Sequence, residues 1–394
     1  MLYRRFGKTE IKMPVLSLGF MRSMHRWQDL PLRKIPRASQ QNMGEIVAAA
    51  LKVGINHFET ARGYGSSERQ LGQILQALPR QTITVQTKIL ANPDPDDFRR
   101  QFLDSVQRLE LKHVDLLAIH GINDHRSFWY ACRGNGCLAA ARRLQAEGRV
   151  GHVGFSGHGS SEIILEAVRH EKDGGFDYLN LHWYYILQVH LQAIQEANRR
   201  DMGVFIISPT DKGGMLNTPS LQMKEQCAPL SPMLFNDLFC LSRPEIQTLS
   251  IGASSPTDLD EHMKVLDLLG REDDNQLRQI DARLKKLMEA AIGHDRPEWL
   301  WHKLPEWEKC PGYINIRMIL WLFNLARGWG LLDFARRRYQ QLGRDMQWVP
   351  GCSASEVNSY DFSKALQDAP LPAGEIVELL GKAHELLGKE EGKM

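Results

Sequence analysis

The 394-residue chain lacks several features that would each settle its class. It has no Cys-x-x-Cys pair. Its six cysteines (Cys132, Cys137, Cys227, Cys240, Cys310 and Cys352) are scattered, which excludes a disulfide framework and a zinc-site spacing and reads as reduced, partly buried thiols. It has no excess of one charge: 49 Lys and Arg against 47 Asp and Glu leave +2, too little to draw it to nucleic acid or an anionic membrane. No run reaches the roughly 18 apolar residues a bilayer requires; the best candidate, Met318–Ala326, is far shorter and contains Asn324. Met1–Phe20 carries Arg4, Arg5, Lys8 and Lys12 without a continuous apolar core, which argues against a secretory leader, so a cytoplasmic location is expected. No internal repeat or low-complexity segment stands out.

What the chain does have is alternation. Short apolar, β-branched runs recur at Val15–Leu18, Asn56–Thr60, Ile83–Lys88, Val114–His120, Val150–Phe155, Tyr178–His182, Val204–Ser208 and Thr248–Ile251. Such runs read as strands buried on both faces of a parallel sheet. Amphipathic stretches lie between them, among them Met43–Val53, Ser67–Leu78, Asp96–Leu109 and Leu138–Glu147. Eight βα units favour an α/β fold closed into a (β/α)8 TIM barrel of about 250 residues. The first connection, Met21–Gln41, is long and basic, and reads as a solvated loop or as a lid over an anionic ligand. Phe128–Arg133 reads as another loop, and the Gly134–Ala139 match to GxGxxA as a helix start. After Leu269 the pattern changes to a charged, helix-forming segment, Glu272–Ala291, and then six of the nine tryptophans gather between Trp299 and Trp348. The expected division is a barrel over 1–292 and a small α-helical domain over 293–394.

Barrel active sites sit where the strands end. A tyrosine at such a mouth can donate a proton if a nearby cation eases its ionisation. Glu59 and Tyr64 follow the second predicted strand, Lys88 ends the third and His120 the fourth, so one mouth would gather all four. Singly, each is more simply a packed or solvated group. The run Glu59–Gly72, ETARGYGSSERQLG, resembles the signature of the aldo-keto reductase family. The resemblance implies Tyr64 as general acid, Lys88 as its pKa modulator, His120 as substrate-orienting group and Glu59 where the family has aspartate, one methylene shorter.

The same resemblance implies a nicotinamide cofactor, NADP(H), with NAD(H) as the alternative. Ser156 and Asn180 would hold the carboxamide, although Gly157 replaces the family's asparagine. Ser208, Pro209, Lys212, Gly213 and Gly214 would wrap the pyrophosphate after strand seven. Ile251, Gly252, Ala253 and Ser254, opening a helix through Asp258, Glu261 and His262, would form the second cofactor loop, without the family's basic residue near Ser255. Lys309–Ile316 is similar to a C-terminal ferredoxin-like extension found in some members. Only Cys310 and Cys352 remain there, too few for an iron–sulfur cluster, which implies a degenerate module and no metal. The expected function is reduction of a small aldehyde or ketone. The alternative is an NADP-binding sensor or scaffold with weakened catalysis that engages a protein partner through 293–394.

Overall fold

The structure is a computed structural model and describes residues 1–270, 275–344 and 348–389. Its strands are β1 (Tyr3–Arg5), β2 (Lys12–Pro14), β3 (Leu16–Gly19), β4 (His57–Glu59), β5 (Thr84–Leu90), β6 (Val114–His120), β7 (Val150–Ser156), β8 (Tyr178–Leu181), β9 (Gly203–Ile207) and β10 (Thr248–Gly252). Strands β3 to β10 close into a barrel in the order β10-β3-β4-β5-β6-β7-β8-β9, every pair parallel. This is the (β/α)8 architecture expected from eight doubly buried runs, and a helical region follows it.

The barrel interior is divided in kind. One side is apolar: Leu116, Ala118, Tyr178, Phe205 and Ile207 pack with Phe6 and Met13 from the N-terminal hairpin β1–β2. Phe6 reaches the starts of β8 and β9, with its ring 5.5 Å from that of Tyr178, so the hairpin plugs the floor. The other side is polar. His57 Nδ1 and Ser17 Oγ are 2.8 Å apart, and Ser17 Oγ and Thr248 Oγ1 2.7 Å. Burial, with Lys88 adding to it, pushes His57 down to about 3, so this layer carries a neutral imidazole.

Two connections differ from the sequence reading and a third agrees with it. The basic loop after β3 is shorter, because Pro36 opens a helix at Arg37–Lys52, leaving Met21–Pro36 with one 3-10 turn at Leu32–Lys34. Phe128–Arg133 is not a loop. It lies in and just after the helix His125–Cys132, which Asp124 and Ser127 start with a capping box. The charged segment after Leu269 forms the helix Asn275–Ile292, and residues 272–274 of it lie outside the described residues. Gly136 does precede a helix, Cys137–Ala146, as read.

The chain divides into two compact units. The first comprises Met1–Trp183, His190–Thr210 and Asn236–Gly270; the second comprises Tyr184–Val189, Asp211–Phe235 and the described residues from 275 onward. The core of the second is the helix Ile316–Trp329, buried along most of its length, capped at its start by Asn315 and ended by Gly330 in the left-handed region. Its tryptophans are both packed and bonded: Trp321 Nε1 donates to Ile186 O at 2.7 Å and Trp329 Nε1 to Leu284 O at 2.8 Å. Trp321 also meets Phe334 and Trp348 edge-on. Among the described residues no helix is long and apolar enough to cross a membrane.

Candidate active site

Glu59, His120 and Ser156 are each the last residue of their strands, and Lys88 lies two residues before the end of β5. Tyr64 stands in the turn between β4 and the helix Ser67–Leu75. Its amide donates to Ala61 O at 3.0 Å and its carbonyl accepts from Ser67 N at 2.9 Å, so the ring is held at the helix entrance. The fold therefore brings the four expected residues together. The fully buried Lys88 forms an ion pair with Glu59, and its Nζ donates to Thr60 O at 3.1 Å and to Tyr64 Oη at 3.2 Å. All three ammonium hydrogens thus have acceptors. The His120 ring meets Tyr64 edge-on with centroids 6.0 Å apart.

Burial pushes the Tyr64 phenol above its ordinary value. The ammonium beside its oxygen works in the opposite sense, favouring tyrosinate. At neutral pH the phenol therefore holds its proton and can donate it, with a cation in place to receive the charge left behind.

The additional methylene of Glu59 is accommodated by residues the sequence reading did not single out. Ser250 Oγ donates to Glu59 Oε2 at 2.8 Å. A Cβ on Gly19 would lie 2.5 Å from Ser250 Oγ and 2.9 Å from Glu59 Oε2, so the longer acid occupies space that a bare backbone leaves. Trp27, on the loop after β3, is exposed and stands edge-on to Tyr64 with centroids 6.2 Å apart. Gly65, at positive φ, lets the Arg26 carbonyl come close enough to fix that loop. Trp183, just beyond β8, is fully buried and stacked on Phe239.

On the far side of the barrel, Ser156 and Asn180 are buried partners in the β7–β8 register. Gln86 Nε2 donates to Asn180 Oδ1 at 3.1 Å. Asn180 Nδ2 and Gln86 Oε1 have no hydrogen-bond partner among the described residues. One open donor and one open acceptor, both buried, fit a primary carboxamide such as that of nicotinamide, and leaving them open is costly. Gly157 has a packing reason to replace the family's asparagine, because a Cβ there would lie 2.7 Å from Ile122 O. The rings of His158 and His182, just beyond β7 and β8, approach to 4.3 Å.

The residues expected at the two cofactor loops are placed as follows. Ser208 has positive φ and Pro209 O accepts from Asn236 Nδ2 at 3.5 Å, both in the barrel unit. Lys212, Gly213 and Gly214 fall in the second unit, where Lys212 Nζ lies 4.9 Å from the Trp348 ring centroid. After β10 the chain makes a 3-10 turn, Pro256–Asp258, and a five-residue helix, Leu259–Met263. Asp258 accepts from Ser254 N and Ser254 Oγ at 2.8 Å each and from Ser255 Oγ at 2.9 Å. Burial pushes this carboxyl up, but those bonds and Arg22 hold it below the usual carboxylate range. Ile251 and Ala253 are buried, and Gly252 O accepts from Arg22 Nη1 at 3.2 Å, so a cation unseen near Ser255 in the sequence arrives from the loop after β3. Glu261 pairs with Lys264. His262 is buried, facing Asp237 through one ring nitrogen and Thr210 through the other. Among the described residues no group of three or more His, Cys, Asp or Glu could hold a metal ion.

Comparison with known proteins places this geometry. A family model described as the aldo/keto reductase family matches residues 15–250. L-galactose dehydrogenase of Arabidopsis thaliana is 24% identical over 271 residues, covering 61% of this chain and 83% of its own length. D-threo-aldose 1-dehydrogenase of Pseudomonas sp is 30% identical over 155 residues, covering 32% of this chain and 46% of its own. The NADH-specific methylglyoxal reductase of Escherichia coli K12 is 25% identical over 204 residues, covering 44% and 58%. Among solved structures, an aldo-keto reductase from Bacillus halodurans in its holo form superposes with a TM-score of 0.58 at 18% identity, covering 72% of this chain and 96% of its own. A thermostable aldo-keto reductase in complex with the inhibitor epalrestat superposes at 0.59 and 18%, covering 72% and 100%.

Proposed function

The chain belongs to the aldo/keto reductase family and is an oxidoreductase using a nicotinamide cofactor, and from that premise we propose that it reduces a small aldehyde or ketone with Tyr64 as general acid. When bound, the nicotinamide supplies the hydride to the carbonyl carbon. Tyr64 Oη gives its proton to the carbonyl oxygen, so that hydride and proton together make the alcohol. Lys88 stabilises the tyrosinate that remains, Glu59 holds Lys88 in place, and His120 orients the carbonyl. Asn180, Ser156 and Gln86 would hold the carboxamide. The reading rests above all on one observation: a buried ammonium, anchored by a carboxylate, donates to the phenol oxygen. The test is the Tyr64→Phe variant, expected to lose about 10²–10⁴-fold in turnover; full turnover would exclude the mechanism. Because Glu59 reaches Lys88, the longer acid gives no ground for preferring a catalytically weakened sensor.

For the cofactor the family resemblance favours NADP(H), while the loop after β10 supports NAD(H). A 2′-phosphate brought to Ser254 would meet the ionised Asp258, already bonded to that residue's amide and hydroxyl. Arg22 is shared among Gly252 O, Ser254 and Asp258. An NADH-specific relative agrees with this choice. Titration with both dinucleotides is expected to give tighter binding of NADH, and a clear preference for NADPH would contradict it. The names of the relatives suggest sugars and methylglyoxal as the substrate class, a small polar carbonyl in each case. We read 293–394 as the remnant of a ferredoxin-like extension, with Cys310 buried and its thiol pushed up to about 11 by burial, and with a protein partner as a further candidate role.

A further inference from the structure

Within the second unit lies a cavity of about 340 Å³ whose lining includes Arg337, Arg338, Arg344, Gln340, Gln341 and Asp211. Arg338 is its buried member. The guanidinium lies 5.4 Å from the Phe334 ring and 4.7 Å from that of Trp348, and Nη2 donates to Asp211 at 2.6 Å. Its Nε has no hydrogen-bond partner among the described residues. Arg337 and Arg344 are exposed, and neither forms an ion pair among the described residues. Among the described lining residues, three guanidinium groups therefore face one carboxylate, leaving two positive charges on the walls. The neighbouring Lys212 reports the same field: burial and then the charge of Arg338 push it down to about 7.

We propose that this cavity binds a phosphate dianion, either free or as the monoester of a small molecule. The two charges left over among the described lining residues match a dianion, whereas a single carboxylate would leave one of them unpaired. Planar guanidinium forks take oxyanions in paired hydrogen bonds, and an open Nε beside Nη2 offers part of such a fork. Gln340 and Gln341 add amide groups able to donate without charge. The volume lies at the small end of the range for ligand pockets, which suits a phosphate with a short carrier. Titration separates the two sources of such a phosphate, a dinucleotide and a separate ligand.

The experiment is calorimetric titration of the full chain with orthophosphate, NADP and NAD, repeated with the Arg337→Ala/Arg344→Ala variant, whose exposed positions leave the thermal midpoint unchanged. The proposal predicts saturable orthophosphate binding, competed by sulfate but not by equal chloride, and weakened at least tenfold in the variant. Loss of NADP affinity alone would assign the site to the 2′-phosphate monoester and loss of neither dinucleotide to a separate phosphorylated ligand, whereas loss of both would mark a site for the pyrophosphate diester and overturn the monoester assignment. Absence of saturable orthophosphate binding, equal competition by chloride, or unchanged binding in the variant overturns it.

Discussion

Glu59 and Lys88 are buried together, and a buried ion pair holds only when both partners stay. What lets the longer acid adopt this role is the missing side chain of Gly19. Gly19→Ala is therefore expected to cost about 1–3 kcal/mol through overpacking and to lower kcat/KM at least tenfold by displacing Glu59 from Lys88. Adding Glu59→Asp withdraws the carboxylate by one methylene and should restore part of the loss. Steady-state kinetics of the single and double variants decide the matter, and wild-type kinetics from Gly19→Ala alone would contradict it. The acid, phenol, lysine and histidine were legible in the sequence because strand ends converge in any barrel. Gly19, Ser250, Gln86 and Trp27 were not, since each matters only through a neighbour distant in sequence: Ser250 is 191 residues from Glu59 and Gln86 94 from Asn180. Arg22 escaped for the same reason, 230 residues from Gly252.

Strands were legible in proportion to their burial. The eight barrel strands stood out as short runs rich in apolar and β-branched residues and are largely buried, even the three-residue β4, whereas β1 and β2 are partly exposed, with no such run to mark them. The helix His125–Cys132 was hidden by its brevity, and its start was visible only in the Asp124–Ser127 pair. The hairpin nevertheless has a definite task, which is to place Phe6 under the barrel. Phe6→Ala is expected to destabilise the fold by about 3–5 kcal/mol, read as a lower thermal midpoint, while cofactor affinity stays unchanged because the mouth lies at the opposite ends of the strands. A small effect on the midpoint would mean that the floor is closed by other residues.

At the scale of the whole chain, the second unit is not confined to the C-terminal sequence. It recruits Tyr184–Val189 and Asp211–Phe235, and its helices hold them: Trp321 bonds Ile186, Arg338 bonds Asp211, and Arg283 bonds Gln226 O at 2.8 Å. Hydrophobic periodicity gave no sign of this, because it reports which face of an element is buried and not which segment buries it. A chain ending at Ile292 should therefore become sensitive to proteolysis within 184–189 and 211–235, and unaltered resistance would contradict this assignment. The central claim is that one phenol, poised beside a buried ammonium, supplies the proton for carbonyl reduction. Its most direct test is single-turnover loss of reduced-nicotinamide absorbance with a small aldehyde, comparing the wild-type chain with Tyr64→Phe after cofactor affinity has been measured for both. The account predicts equal affinity and a chemical step slowed about 10²–10⁴-fold. A step of undiminished rate in the variant would contradict it.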